Sequence, residues 1–545
     1  MTALRFILGK LGPFRPRFLL LLGVAAIDGV ALFSIPLVLA EVAKGSVSVE
    51  QWRRVVPILV ACMATSIGMQ WLVRRYGEAL GRHYTNYLQL HYFRLVEQQE
   101  VSLLQKHHSG YILSLVSRVT GSAGSLAVGL IWLSSHILVV MTMFFVFTAR
   151  ESVPIAVLNL VLMAVFLAVS LRFSARMVPL LAELNVASAR AGQRFVDVMG
   201  NILTVKRLRL RRFAFEHLRS SLDVVDTQIK SVQRFHATRW ATLHAIFSVA
   251  FLGTISFLLR RISHGATSAA VLVLFISAYA TLRGYVERLS EMMKDLLELG
   301  GYLSTLTELL KPVQPVPLLD SGRNWSTISA RDLSFTYPES ATTISVPEFT
   351  LSRGEIICIT GESGQGKSTL LALLAHLVRP NIGEFQVDGV PYSESEEFLD
   401  QLFAITSQEV DLFAMNIRDN LRLGRPVPES KMTALLESLG LIPWLRALPS
   451  GLDSEIGERG VRVSAGQRQR INLARALLLD REILLLDEPT SHLDRTTERR
   501  VVEALQQALV GKTAVIVTHR EALLRIATRR YEVVDGRVCA APIHT

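Results

Sequence analysis

Gly361-Glu362-Ser363-Gly364-Gln365-Gly366-Lys367-Ser368 stands between an apolar run at 355–360 and a helix-like stretch at 368–378. It fits G-x-x-x-x-G-K-[S/T], the phosphate-binding loop. Glycines let the backbone wrap phosphate oxygens with its N–H groups, and the start of the following helix adds a favourable dipole. In this pattern Lys367 reaches the β- and γ-phosphates of a nucleotide and Ser368 ligates Mg²⁺. Thr369, the next residue, belongs with the expected nucleotide-binding set. Further strand-like runs at 328–337, 342–351, 383–390, 403–407, 482–487 and 513–518, with helical stretches between several of them, predict an α/β domain of the P-loop NTPase kind over 326–545.

Downstream, Ile483-Leu484-Leu485-Leu486-Asp487-Glu488 reads as a buried strand ending in two carboxylates. Beside a phosphate loop, Asp487 is placed to hold the magnesium shell. Glu488 is placed to orient or deprotonate an attacking water.

The N-terminal half is different in kind. Half of the 545 residues are hydrophobic, and long uncharged runs crowd into the first 285. A bilayer-spanning helix needs about 20 mostly apolar residues, and six segments qualify: 18–40, 55–73, 124–148, 153–171, 241–259 and 267–282. The long gaps 74–110 and 174–240 carry recurrent apolar positions with charges between them, as helices do. They read as membrane helices that continue outward and return as hairpins; an extension of about 25 residues reaches about 37 Å. The fold class is therefore a polytopic α-helical membrane domain of six spans with long cytoplasmic extensions at 1–310, a Pro-rich linker at 311–325, and the α/β domain.

Net charge is +11, but no nucleic-acid motif accompanies it. Arg74, Arg75, Arg82, Arg94, Arg118 and the run Lys206 to Arg212 lie in the long gaps, and the positive-inside rule puts these, and both termini, in the cytoplasm. Arg260 and Arg261, in a short link, run against that rule. Three scattered cysteines exclude a disulfide framework and a zinc site.

Val463-Ser464-Ala465-Gly466-Gln467 resembles the L-S-G-G-Q signature of ATP-binding cassette (ABC) proteins. The rest of the cassette agrees in order. Tyr337 looks like the aromatic that stacks on adenine, and Gln408 like the Q-loop residue that touches magnesium. The stretch 454–460 is similar to the cross-talk loop of exporters, and Ser491-His492-Leu493-Asp494 to the D-loop. His519 looks like the switch histidine. Two residues depart from the pattern: Ala465 replaces a glycine, and His492 replaces a small residue. The resemblance covers essentially the whole chain, as a half-transporter with an exporter-type (type IV) membrane domain.

That resemblance implies ATP-driven export or outward flipping of an amphipathic substrate such as a lipid, peptide, siderophore-like metabolite or drug, with ATP and Mg²⁺ as cofactors. It implies a second half-transporter as partner, a copy favoured over a different chain, so that Ser464, Ala465, Gly466 and Gln467 cover the partner's ATP. It places coupling helices near 109–120 and 196–207, and the chain in a bacterial inner membrane. Exporter-shaped importers and nucleotide-gated channels or regulatory subunits remain as alternatives. For substrate the main clue is Asp28, the carboxylate inside an expected span: it is a candidate to face the substrate cavity and contact a cationic or hydrogen-bonding cargo, with pairing to another helix or a place near an interface as the alternatives.

Overall fold

The computed structural model describes residues 2–42, 49–99, 109–265, 269–310, 325–337, 343–391, 399, 401–408, 410, 412–457 and 463–542. The chain divides into two compact units, one within Met1–Gln99 and His107–Val313, the other built on Gln314–Thr545. The expected linker, apart from Trp325, and residues 458–460 of the cross-talk loop lie outside the described residues.

The first unit is all helix: α1 Thr2–Lys10, α2 Arg15–Val42, α3 Val49–Glu97, α4 Ser109–Glu151, α5 Val153–Gly200, α6 Ile202–Arg207, α7 Arg211–Ser263 and α8 Ala269–Leu309. Among the described residues, five helices are long and apolar enough to cross a membrane. The sixth expected span begins at 267–268, outside the described residues, and continues in α8. The expected extensions are present as helix: α3 runs unbroken to Glu97, and α5 runs to Gly200 before α7 returns. The short α6 falls within the expected 196–207 segment, whereas 109–120 is not a separate short helix but the opening turns of α4. Arg260 and Arg261 close the last turn of α7, where the helix dipole favours cations.

Small residues permit a close approach of α3 and α4. A Cβ on Gly124 of α4 would lie 2.1 Å from Thr85 Oγ1, and one on Gly81 of α3 would lie 2.6 Å from Val128 Cγ2. Backbones can approach this closely only where side chains are missing, and Thr85 uses the contact to donate to the carbonyl of Thr120 at 3.3 Å. Polar ties hold other pairs. Arg239 on α7 is buried and donates to the Ser290 carbonyl on α8 at 2.6 Å, while the hydroxyls of Ser170 on α5 and Ser290 meet at 2.6 Å.

The second unit is α/β. Its strands are β1 Thr327–Thr336, β2 Thr343–Ser352, β3 Ile356–Thr360, β4 Phe385–Val387, β5 Val390–Pro391, β6 Phe403–Thr406, β7 Ile483–Asp487, β8 Thr513–Val517, β9 Arg529–Val534 and β10 Arg537–Ala541. They form one sheet in the order β5-β4-β1-β2-β10-β9-β3-β8-β7-β6. From β9 to β6 all neighbours are parallel, and β7 and β8 are buried along their whole length, as parallel strands covered on both faces are. One core packs β1, β2 and β3 with helix α9, Lys367–Leu374. The other packs β7 and β8 with α10 Ile417–Arg422, α11 Glu429–Ser438, α12 Ile442–Arg446, α13 Ala465–Leu479, α14 Arg495–Ala508 and α15 Glu521–Leu524. The run expected as one strand at 383–390 is instead a hairpin. Asp388 and Gly389 take φ of +50° and +82°, the pair of left-handed residues that a two-residue turn demands.

Candidate active site

Four neighbouring parallel strands, β3, β8, β7 and β6, end on the same edge of the sheet. The carboxyl ends of such strands are where α/β folds bind ligands. Here those ends deliver, in spatial order, the Gly361 loop, His519, the Asp487–Glu488 pair and Gln408.

The loop's glycines are fixed by contact. Gly361 has φ +137°, and a Cβ there would lie 2.3 Å from the carbonyl oxygen of Val533. Gly366 has φ +100°, and its Cβ would lie 2.4 Å from Ile344 Cδ1. No other residue type fits either position without displacing backbone or core. Gln365 accepts from the Gly536 N–H at 3.1 Å, pinning the loop to the β9–β10 turn. Glu362, Ser363 and Gly364 are exposed along the loop, and Thr369 is half-buried in the first turn of α9.

Lys367 opens α9, and its ammonium donates to the carbonyls of Gly361 and Glu362, each at 2.7 Å. Burial lowers its pKa, and the charges of Glu488 and Asp487 pull the other way. Asp487 is 6% exposed at the end of β7. Burial raises its pKa; a hydrogen bond from Ser368 lowers it, the charge of Glu488 raises it and that of Lys367 lowers it again. A buried carboxylate bonded to a serine hydroxyl, with a second carboxylate beside it, is an oxygen donor set suited to Mg²⁺, which takes one or two carboxylates and completes its shell with water and phosphate. The carboxylates and Ser368 therefore fit Mg²⁺, and the glycine loop with Lys367 fits a nucleotide's phosphates. Gln408 is exposed just beyond β6, and His519 is exposed just beyond β8. Tyr337 stacks edge-on against Phe335, ring centroids 4.7 Å apart.

Ser464 caps α13 in a reciprocal box: its hydroxyl accepts from the Gln467 N–H at 3.3 Å, and the Gln467 side chain accepts from the Ser464 N–H at 2.9 Å. The steric demand for glycine falls on Gly466, whose Cβ would lie 3.1 Å from the carbonyl of His492. Ala465 sits in the first turn, where alanine is a favourable helix residue. Asp494 caps α14, accepting from the N–H groups of Thr496 and Thr497 and from the Thr497 hydroxyl at 2.7–3.1 Å, and these bonds depress its pKa. Sequence reading missed Gln469 and Arg475, two polar residues buried in α13. Arg475 donates to the Asn420 carbonyl at 2.8 Å and to its side-chain oxygen.

Asp28 lies in the other unit. It is 1% exposed and accepts from the hydroxyl of Ser66 on α3, which in turn accepts from Gln70 at 3.2 Å. A cavity of about 1380 Å³ in this unit is lined by Gln70, Arg74, Arg118, Trp132, Tyr285 and Arg288 among others, and not by Asp28.

Residues 18–286 match the family model of the ABC transporter transmembrane region, and residues 344–491 match the family model described as ABC transporter. The chain belongs to the ABC transporter family. Among ABC relatives, the beta-(1→2)glucan export ATP-binding/permease protein NdvA of Rhodopseudomonas palustris is 30% identical over 66% of this chain and 60% of its own length. The ATP-dependent lipid A-core flippase of Methylobacillus flagellatus is 34% identical over 51% of this chain and 49% of its own. The match spans 58–60% of the length of three NdvA relatives and 75% of a fourth. A solved structure of a bacterial Atm1-family ABC exporter with ATP bound superposes with a TM-score of 0.86 over 97% of this chain and 94% of that one, at 19% identity. The shared fold is that of an ABC exporter: a helical membrane domain followed by a cassette.

Proposed function

We propose that this chain hydrolyses ATP and couples the reaction to export, or outward flipping, of an amphipathic substrate across a bacterial inner membrane, with the cassette and both termini cytoplasmic. The observation that carries the reading is the meeting of Ser368 and Lys367 with Asp487 and Glu488 at the same edge of the sheet, beyond the parallel strands β3 and β7 that flank β8. The names of the glucan exporter and the lipid flippase support the outward direction.

In this reading the loop N–H groups and Lys367 hold the nucleotide's phosphates, and Tyr337 stacks on the adenine. Ser368, Asp487 and Gln408 would hold Mg²⁺, which neutralises charge on the β- and γ-phosphate oxygens. Glu488 accepts the proton of the attacking water, and His519 contacts the γ-phosphate. Ser464, Ala465, Gly466 and Gln467 cover the ATP of a second chain, and Asp494 stands at the dimer contact. Nucleotide that binds the paired state better than the open one shifts the membrane halves with it.

The test is ATP-dependent accumulation in inside-out vesicles, with fluorescent lipids and cationic dyes as probes. Accumulation by the wild type and its loss in Glu488→Gln support the proposal. Steady ATP turnover with loss of a preloaded probe from the vesicles would make the chain an importer.

A further inference from the structure

Glu488 holds a conformation that its sequence resists. Its φ is +44°, in the left-handed region that a residue with a Cβ resists, and Pro489 behind it narrows its backbone choices. Three bonds converge on this residue. Its N–H donates to the carbonyl of Val517 at 2.9 Å, and its own carbonyl accepts from the Ser491 N–H at 3.2 Å. The same carbonyl accepts from Nε2 of Gln469 at 2.6 Å.

Gln469 belongs to α13 and is 6% exposed. Its amide nitrogen also donates to the Ser491 hydroxyl at 3.1 Å, and its amide oxygen accepts from the His492 N–H at 3.2 Å. One carboxamide thus joins the helix to the turn at Glu488 and to the segment that follows. Its neighbours reach elsewhere: Arg468 donates to Val463, and Arg470 to Gly466, Leu439 and Gly440.

We propose that Gln469 is a positioning residue that clamps the strained turn at Glu488, and Ser491 with it, to the α13 helix of the same chain. The N-terminus of α13 carries Ser464, Ala465 and Gly466. Whatever that end engages therefore sets the aim of the chain's own carboxylate. The inference rests on the reading of Glu488 as the group that accepts the water's proton.

The test uses the full chain, purified in lipid nanodiscs, with KM and kcat for ATP, affinity for a fluorescent ATP analogue, and thermal melting. Gln469→Glu keeps the shape but turns an acceptor toward the Glu488 carbonyl. Its kcat is expected to fall about tenfold, the weight of one hydrogen bond, while KM and affinity hold. Ser491→Ala, which spares the bond to Glu488, is expected to turn over faster than Gln469→Glu. If Gln469→Glu melts lower than the wild type, Gln469→Met, similar in length but without the donor, replaces it and is expected to show the same split. Wild-type kcat in a variant with native melting overturns the clamp. So does a loss of affinity as large as the loss of kcat. The two readings fail separately: normal turnover in Glu488→Gln removes the catalytic assignment, whereas normal turnover in Gln469→Glu beside an inactive Glu488→Gln removes the clamp alone.

Discussion

The ammonium of Lys367 lies 2.7 Å from the carbonyl oxygen of Gly361, folded back across the loop whose backbone it follows. It is a buried cation held by neutral carbonyls and by the field of two nearby carboxylates. Phosphate oxygens are stronger acceptors for it than these carbonyls. Lys367→Ala is expected to weaken ATP binding about ten- to a hundredfold, the range of a charge-assisted hydrogen bond. Titration with a fluorescent ATP analogue checks this; unchanged affinity would remove Lys367 from the phosphate site.

Glu488→Gln should separate binding from chemistry. The amide keeps the shape but cannot take the water's proton. Turnover is expected to drop about a hundred- to ten-thousandfold, as loss of a positioned base does, with ATP retained on the protein. Near-normal hydrolysis would pass the role to another group, His519 being the next to vary.

Asp487 makes a prediction with a definite sign. Burial raises its pKa in the folded cassette. Its contribution to stability is therefore fully present below the ordinary carboxylate range and is lost as pH rises through the folded value. At neutral pH without Mg²⁺, the buried anion opposes folding. Asp487→Asn should then melt higher than the wild type, and the difference should shrink as pH falls toward 4. Mg²⁺ with ATP should raise the melting of the wild type more than that of the variant. A variant that melts lower at pH 7 without Mg²⁺ would contradict this electrostatic account.

Asp28 and Ser66 tie α2 to α3 away from bulk water. Ser66→Ala removes one donor from a buried carboxylate and is expected to cost about 1–3 kcal/mol, read as a lower melting temperature in nanodiscs with basal ATP hydrolysis intact. A cysteine substituted at Asp28 should stay inert toward a water-soluble thiol reagent. Rapid labelling that changes with trapped ATP would place the residue on the transport cavity instead.

The parts that the sequence made legible are those in which local chemistry and topology agree. Strand β3 and the loop after it read correctly because an apolar run ending in glycines leaves few other conformations. The helical extensions read because charges between apolar positions keep a period. The strands β9 and β10 were not expected: Arg529-Arg530 and Arg537 break the apolar run, and their partners lie far off in sequence. Gln469 was hidden for a related reason. A glutamine in Arg-Gln-Arg reads as a solvated helix face, and only the distant turn at Glu488 makes it a buried partner. Asp28 showed that it needs company, but not that Ser66 supplies it.

Pairing of two cassettes across ATP is the central claim, and one cross-link tests it most directly. In a background with Cys539 replaced, cysteines at Ser464 and Ser363 are treated with a short bifunctional thiol reagent, with and without ATP, in the Glu488→Gln protein. The account predicts a covalent product of two chains that forms with ATP and not without it, because the α13 cap of one chain lies over the loop of the other. Chains that stay single under ATP, while binding it normally, would contradict the paired site and the mechanism built on it.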